Sequence, residues 1–315
     1  MLRLVADVGV ADRVAPDAPV SIEILANQCG VQTQPLLRVL RALASFGVFT
    51  VTADGEIGHS ARSRLLRTDI PNSMHHSARF WTAPGSWNAW GVLDAALTGG
   101  VPHEAAWGMG RFEYLRSHPV EARGFDAMMA NFPDNRHAAI AAGYDFSKAA
   151  LIADIGGGNG AALRHVLDRF DGPRGLLFDR DDVVAAIKQS DLQDGRIVVR
   201  GGSFFDGVPS GASIYMLIRV LHDWPDEDCV RILGACRAAM APTAVLLICE
   251  QILEPDPAQG RPTGYLVDTQ MMAMFGSARE RTLAEFAKLM DQTSFVLRST
   301  TQTQSPVWII ECGLA

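Results

Sequence analysis

The sequence has little cysteine and no long apolar run. Its five cysteines form no CxxC pair, so we expect reduced, mostly buried thiols and neither a zinc site nor any other metal site. No stretch reaches the roughly 18 apolar residues that a membrane span needs. Asp7 and Asp12 interrupt the apolar N-terminus, which is unlike a secretory signal. We therefore expect a cytoplasmic protein without a membrane partner.

Positive charge is also scarce. The chain carries 28 basic and 35 acidic residues, which gives a net charge of −7. Binding to nucleic acid depends on clustered cations, so this balance argues against a nucleic-acid partner. The content of 48% hydrophobic and 20% charged residues is that of an ordinary folded protein.

Residues 1–140 have the pattern of a helical domain. Ser21 is a candidate N-cap, a turn follows at Gly30, and a second helix carries leucines at helical spacing from Leu36 to Leu43. A short hairpin is predicted around Asp54-Gly55. Helix, turn, helix and hairpin in this order are typical of a winged helix, which serves either DNA binding or dimerisation. Only Arg38 and Arg41 make the second helix basic, which favours dimerisation.

Aromatic residues are concentrated in residues 75–140. Such a density indicates a core or an interface, and a pocket wall is the alternative. The residues are Trp81, Trp87, Trp90, Trp107, Phe112, Phe125 and Phe132.

The second half alternates short apolar strands with amphipathic helices, which predicts a doubly wound α/β sheet. We expect a seven-stranded Rossmann-like domain over residues 144–315, behind a helical winged-helix domain over residues 1–143. The predicted strands are Leu151–Ile155, Gly175–Phe178, Arg196–Val199, Ser213–Arg219, Thr243–Cys249, Phe295–Arg298 and Val307–Glu311.

A glycine-rich loop follows the first of these strands. The run from Asp154 to Ala161 reads DIGGGNGA and opens a helix. Glycines allow close approach of a ligand to the backbone, and a helix N-terminus offers unpaired N–H groups. The run also satisfies the dinucleotide fingerprint GxGxxA. NAD and S-adenosylmethionine both remain open from this motif alone.

Two carboxylates belong to the same region. Asp179 ends the next predicted strand, where it can accept hydrogen bonds from a ribose diol in either cofactor. Asp154 directly precedes the glycines. A carboxylate there repels a pyrophosphate and attracts an ammonium group, which favours the methionine part of S-adenosylmethionine.

His222 is predicted at the mouth of the cofactor crevice. It follows the fourth strand, and ligands bind at the carboxyl ends of strands in such sheets. Glu250 ends the fifth strand, and Glu280 lies just before a helix. We expect these two carboxylates to join the histidine.

At this point the motifs resemble a known family. The segments GGGNG, FD, VLHDW, CEQILEPD and ERT, in this order, are similar to the plant-type small-molecule O-methyltransferases and their bacterial relatives. The resemblance extends over essentially the whole chain, including LRTDIPNS at Leu66–Ser73 and FDAMMA at Phe125–Ala130. It implies S-adenosylmethionine as cofactor, a small-molecule acceptor and a homodimer formed through the winged helix.

The resemblance also implies individual roles. His222 is implied as general base, with Glu250 and Glu280 flanking and orienting its imidazole. Ser203 stands where many relatives have the aspartate that holds the adenine. The implied cofactor contacts are Asp154, Gly156, Gly158, Gly160, Asp179, Ser203, Phe204 and Arg219. The implied substrate contacts are Met129, Asp268, Met272 and Phe275.

The expected activity is methylation of a hydroxyl on a small aromatic or polyketide-like natural product. A carotenoid hydroxyl or a carbon acceptor is the first alternative, since a carbon acceptor also needs a base. A winged-helix regulator that binds S-adenosylmethionine without catalysis is the second. An NAD oxidoreductase leaves the HDW and ERT segments unexplained.

Overall fold

The computed structural model describes residues 1–130 and 135–315, which belong to two units, Met1–Asp134 and Asn135–Ala315. The division falls before the predicted boundary at 143, because helix Arg136–Gly143 groups with the second unit. Phe132, one of the clustered aromatics, lies outside the described residues. Over the described residues, each helix is too short or too polar to traverse a lipid bilayer.

The N-terminal unit is mainly helical. Its three short strands, β1 (Val20–Ser21), β2 (Thr50–Val51) and β3 (Glu56–Gly58), form an antiparallel sheet in the order β1-β3-β2. A 3₁₀ helix covers Leu93–Thr98. The α-helices are α1 (Leu2–Asp7), α2 (Val10–Arg13), α3 (Ile22–Cys29), α4 (Thr33–Ser45), α5 (Ala61–Arg64), α6 (His75–Phe80), α7 (Pro84–Gly91), α8 (Pro102–Trp107), α9 (Arg111–Ser117) and α10 (Pro119–Ala130).

The predicted order of helix, turn, helix and hairpin is present in this unit. Ser21 caps α3 by accepting a hydrogen bond from the Ile24 amide at 3.4 Å. The leucines of α4 are all buried, as expected for the apolar face of an amphipathic helix. Gly55 has a φ of 81°, which permits the tight turn between β2 and β3.

The clustered aromatics divide between core and surface. Phe80 and Phe125 pack with ring centroids 5.3 Å apart, and Trp107 lies 4.6 Å from Tyr114. Trp87 is 64% exposed and is therefore not a core residue of the chain.

The C-terminal unit has the predicted doubly wound architecture. Short 3₁₀ helices cover Gln189–Leu192 and Leu221–Asp223. Its strands and α-helices are α11 (Arg136–Gly143), β4 (Leu151–Ile155), α12 (Ala161–Arg169), β5 (Arg174–Asp179), α13 (Asp181–Val184), β6 (Ile197–Gly201), β7 (Ile214–Ile218), α14 (Asp226–Ala239), β8 (Val245–Leu253), α15 (Pro262–Phe275), β9 (Arg281–Thr282), α16 (Leu283–Gln292), β10 (Phe295–Gln302) and β11 (Val307–Leu314).

The sheet order is β10-β11-β8-β7-β4-β5-β6, with β9 paired to β8. The strands from β8 to β6 are parallel. β11 runs antiparallel to β8 and to β10, so β10 again has the direction of the parallel strands. Chain connections reverse direction at β4, so a crevice opens at its carboxyl end. Both sheet faces are covered by apolar helices: α14 and α16 pack on one face, and α11 and α12 on the other.

All seven predicted strands exist, and β8 is longer than predicted. It continues to Leu253, since β11 pairs with it as far as Gln251 and β9 pairs with Ile252 and Leu253. Glu250 therefore lies inside β8 rather than at its end. Glu250 still lies beyond the end of β7, because the pairing of β7 with β8 stops at Ile218 and Cys249. The prediction for the thiols is confirmed: all five cysteines are free, and only Cys29 is partly exposed.

Candidate active site

Positive φ angles shape the loop between β4 and α12. Gly156 and Gly158 have φ of 71° and 58°, in the left-handed region that glycine adopts without steric cost. The Gly156 amide donates to the Phe178 carbonyl at 2.8 Å, which joins the loop to β5. A Cβ added to Gly158 would meet no atom within 4 Å. Gly160 caps α12, so the loop leads directly to a helix N-terminus beside open space.

Asp154 lies buried beneath this loop. It is 1% exposed, and neither carboxylate oxygen has a hydrogen-bond partner among the described residues. Burial, and secondly the charge of Asp179, raise its pKa to about 7. A Cβ on Gly157 would lie 2.6 Å from Asp154 Oδ2, so the carboxylate contacts the loop itself. A buried, unpaired acid at such a place is a candidate partner for a cationic ligand.

Asp179 ends β5 beside the same loop. Its Oδ2 accepts from the Gly158 amide at 2.8 Å and its Oδ1 from the Arg180 amide at 2.7 Å. Each carboxylate oxygen has more than one lone pair, so Asp179 keeps capacity to accept from a diol. The open loop, the unpaired acid and this second acid together fit a cofactor that carries an ammonium group and a ribose.

Ser203 and Phe204 follow β6, next to β5 in the sheet. The Ser203 hydroxyl accepts from the Phe205 amide at 3.2 Å and so closes a turn. The Phe204 ring lies edge-on to Phe205 and Trp224, with centroids 4.8 and 5.7 Å away. A Cβ on Gly156 would lie 4.0 Å from Phe204, so this ring borders the glycine loop.

His222 lies in the 3₁₀ helix that follows β7, at the carboxyl edge of the sheet. Its Nδ1 is 3.2 Å from Glu280 Oε1, and its Nε2 is 3.3 Å from Asp223 Oδ1. Burial and the charge of Arg219 lower the pKa of His222, but Asp223 and Glu280 raise it by more. The net shift is upward. The predicted pairing of His222 with a glutamate is thus present in the geometry.

Glu250 occupies a different position from the one the resemblance implies. It is fully buried, and it makes no hydrogen bond to the imidazole among the described contacts. Its Oε1 accepts from the Leu221 amide at 2.9 Å, and its Oε2 accepts from Arg219 Nη1 at 3.0 Å. Glu250 therefore holds the backbone next to His222 and does not flank the ring.

Arg219 connects these side chains. Its Nη1 donates to Glu250 Oε2 at 3.0 Å and to Glu280 Oε2 at 2.8 Å. Its Nη2 donates to Glu280 Oε1 at 2.6 Å and lies 3.0 Å from His222 Nδ1. Sequence reasoning grouped Arg219 with the cofactor contacts, whereas the structure places its guanidinium inside the histidine–glutamate cluster. Its position as the one charged residue in the apolar run YMLIRVL was the available signal.

The charges in this cluster shift each other's titration. Burial raises the pKa of Glu280, but the charge and hydrogen bonds of Arg219 lower it further, and the net pKa lies well below the ordinary value. Burial raises the pKa of Glu250, only partly offset by Arg219. The two carboxylates hold the pKa of Arg219 above its ordinary value despite its burial.

The ERT segment fastens the histidine loop. The Arg279 amide donates to the His222 carbonyl at 3.0 Å. Arg281 is fully buried, and its guanidinium donates to the carbonyls of Leu221 and Trp224, each at 2.8 Å. Sequence reasoning missed Arg281, although it lies inside the ERT motif. Its role depends on carbonyl groups far away in sequence.

The residues predicted to contact substrate lie in both units. Asp268, Met272 and Phe275 share α15, and Asp268 Oδ1 accepts from the Glu280 amide at 2.8 Å. Burial raises the pKa of Asp268. Met129 is on α10 of the N-terminal unit and is 47% exposed.

Open sheets of this kind bind nucleotide-like cofactors at the switch point, and a histidine–glutamate pair at the same edge can move a proton. These features define a Rossmann-like group-transfer enzyme. Comparison with family models then identifies the family. Residues 90–296 match the model of the O-methyltransferase domain, and the chain belongs to that family. It is an O-methyltransferase that depends on S-adenosylmethionine.

Known relatives span nearly the whole chain. The phenazine O-methyltransferase PhzM of Lysobacter antibioticus is 37% identical and covers 98% of this chain and 91% of its own length. The structure of the mitomycin 7-O-methyltransferase MmcR has a TM-score of 0.89 at 32% identity, covering 100% of this chain and 93% of that one. The O-methyltransferase NcsB1 from neocarzinostatin biosynthesis was solved with S-adenosylmethionine and 2-hydroxy-5-methyl naphthoic acid. It has a TM-score of 0.78 at 30% identity and covers 100% of this chain and 95% of its own.

Proposed function

We propose that the enzyme methylates a hydroxyl of a small aromatic or polyketide-like natural product, with His222 as general base. The observation that carries the proposal is the contact of 3.2 Å between His222 Nδ1 and Glu280 Oε1, at the sheet edge that bears the glycine loop. The relatives support the acceptor class, since their names describe phenazine and mitomycin methyltransferases.

The chain's own residues suit the cofactor. When bound, S-adenosylmethionine supplies an electrophilic methyl group on a sulfonium sulfur. We assign the Asp154 carboxylate to its ammonium group, because both oxygens are buried and unpaired. The backbone at Gly158 borders the open space, and we assign Asp179 to accept from the ribose hydroxyls. Ser203 and Phe204 border the adenine side.

His222 and its partners provide the proton chemistry. A phenol has a pKa near 10 and an imidazole near 6.5, so the base takes the proton as the oxygen attacks rather than beforehand. The imidazolium that results is stabilised by the ionised Glu280 at Nδ1. General-base assistance of this kind contributes about 10²- to 10⁴-fold to the rate.

The test is methyl transfer from S-adenosylmethionine to a panel of hydroxylated aromatics, including 1,4-dihydroxy-2-naphthoic acid, followed by mass spectrometry. We expect His222→Gln to lower kcat by about 10² or more, while the calorimetric affinity for S-adenosylhomocysteine stays unchanged. Retained turnover in this variant contradicts the role of His222. A carotenoid hydroxyl and a carbon acceptor in the same panel test the wider acceptor range. Cofactor binding without turnover on any acceptor supports the non-catalytic alternative.

We also propose that the protein is a homodimer formed through the winged-helix elements. Two large apolar side chains there face solvent: Ile24 on α3 is 54% exposed, and Phe46, just after α4, is 67% exposed. A second copy would remove such surface from water.

A further inference from the structure

The contacts around His222 determine which ring nitrogen carries hydrogen. A guanidinium only donates, and an ionised carboxylate only accepts. Arg219 Nη2 lies 3.0 Å from Nδ1, which requires Nδ1 to accept. Asp223 Oδ1 lies 3.3 Å from Nε2, which requires Nε2–H to donate. One neutral form of the ring satisfies both contacts, the tautomer with its hydrogen on Nε2.

The other forms of the ring fit these neighbours less well. Hydrogen on Nδ1 suits Glu280 Oε1 at 3.2 Å but turns the Nε2 lone pair toward the Asp223 carboxylate. The doubly protonated ring suits both carboxylates but sets an N–H against Arg219 Nη2. Glu280 Oε1 is also closer to that Nη2, at 2.6 Å, so the charged guanidinium is its stronger partner.

Arg219 is held so that all four hydrogens on its two terminal nitrogens are used. Two go to Glu280 as a bidentate fork, one goes to Glu250, and the fourth is directed at His222 Nδ1. The backbone at Arg219 has a φ of 55°, a strained value for a residue with a side chain. Its amide donates to the Cys249 carbonyl at 3.0 Å, which fixes this turn. Strain of this kind persists where the surroundings overdetermine a conformation, often at functional sites.

We propose that Arg219 is a positioning residue that sets the tautomer of His222, holding the ligand-free imidazole with its hydrogen on Nε2. This inference rests on the proposed role of His222 as base, because that role makes the state of Nε2 matter. In the held form Nε2 has no lone pair to accept the acceptor's proton.

The base-competent form differs by two proton moves. The Nε2 proton leaves to water through the Asp223 carboxylate, whose side chain is 41% exposed. One proton from water arrives on Nδ1. This nitrogen then donates to Glu280 Oε1 and no longer accepts from Arg219 Nη2. The net charge of the ring is unchanged. A bound acceptor hydroxyl favours this form by replacing Asp223 as the neighbour of Nε2.

The tautomer can be measured directly. Full-length, ligand-free protein labelled with ¹⁵N-histidine is examined by long-range ¹H–¹⁵N correlation at a pH where the ring is neutral, and His222 is assigned from the spectrum of His222→Gln. We expect Nδ1 to appear unprotonated and Nε2 protonated. In Arg219→Lys the fraction with hydrogen on Nδ1 should rise by roughly tenfold or more, because the donor aimed at Nδ1 is lost.

Arg281→Lys is the matched control. Arg281 is the more deeply buried of the two arginines and holds the same loop through the Leu221 and Trp224 carbonyls, but its described hydrogen bonds do not include the ring nitrogens. In Arg281→Lys we expect the ratio of the two His222 tautomers to match that of the parent protein. Equal changes in both lysine variants would reduce Arg219 to a general support of the loop and overturn the proposal.

The parent spectrum is decisive even if Arg219→Lys does not fold. Hydrogen on Nδ1, or on both nitrogens at every pH up to unfolding, means that Arg219 does not donate there. The measurement needs no acceptor and no turnover. Failure of His222 as base, seen as retained activity in His222→Gln, is therefore distinguishable from failure of the tautomer assignment.

Discussion

The carboxylate of Asp154 is buried with both oxygens unpaired among the described residues, so its ionisation costs the native state free energy. Its pKa is raised from 3.8 to about 7, chiefly by burial. Well below pH 3.8 the acid is neutral in both the native and the unfolded chain. As pH rises toward 7 the unfolded chain releases this proton and the native state keeps it, which favours unfolding.

We therefore expect Asp154→Asn to increase the free energy of unfolding of the ligand-free protein at pH 8. The gain should be about 1 to 4 kcal/mol, and it should shrink as the pH falls from 7 to 4. Urea unfolding at several pH values measures it. The same variant should bind S-adenosylmethionine more weakly, because the partner of the ammonium group is lost.

Asp171→Asn provides the control for this change. Asp171 is exposed in the same unit, so the substitution makes the same change in net charge without removing a buried acid. We expect almost no effect on stability at any pH. If Asp154→Asn instead destabilised the protein at pH 8, the carboxylate would have a partner in solution that the contacts do not reveal.

At the scale of elements, hydrogen bonds join the segment 279–282 to the loop 221–226. Arg281 donates to Leu221, Trp224 and Asp226, with the shortest contact to Asp226 Oδ1 at 2.7 Å. We expect Arg281→Met to lower the free energy of unfolding by about 3 to 5 kcal/mol, because it leaves buried acceptors without their donor. Urea unfolding of the parent and the variant measures the loss.

The exposed pair of Arg231 and Asp228 is a suitable comparison. Their side chains are 60% and 28% exposed and lie 2.8 Å apart on α14. Arg231→Met should cost no more than about 1 kcal/mol, since exposed ion pairs contribute little. Equal losses of unfolding free energy in Arg231→Met and Arg281→Met would contradict a stabilising role for the buried hydrogen bonds of Arg281.

Strand prediction succeeded where the local pattern decides the outcome. β4 has the predicted bounds, since its apolar run is buried on both faces and ends at a glycine loop. The end of β8 depends on pairing with β11 and then with β9, which are both distant in sequence and add no local signal. β9 has two residues, too few for a periodic pattern, and it forms by pairing Arg281 with Ile252.

The candidate site shows the same division. His222, Glu280 and the glycine loop were found from short motifs whose spacing is local. The links made by Arg219 to Glu250 and Glu280 join residues 31 and 61 positions apart. Their geometry depends on the register of β7 against β8 and on where the ERT segment returns. Neither feature is encoded in a local motif. The sequence therefore carries no sign of these links, and Arg219 was grouped with the cofactor contacts.

For the whole molecule, the proposed dimer makes stability depend on protein concentration. We expect sedimentation equilibrium to give twice the chain mass of 34.0 kDa at micromolar concentration. Phe46→Ser should raise the dissociation constant by roughly tenfold or more, since burying a phenylalanine contributes about 1.5 to 3 kcal/mol.

Val296→Ser tests whether this effect is specific to the winged helix. Val296 is 49% exposed on β10, in the C-terminal unit, and its loss should leave the dimer intact. The thermal midpoint of the parent should also rise with concentration, because dimerisation stabilises the native state by mass action. A monomeric parent at all concentrations contradicts the proposal. A dimer that responds to Val296→Ser but not to Phe46→Ser moves the interface to the sheet edge, and the exposure of Phe46 then has another cause.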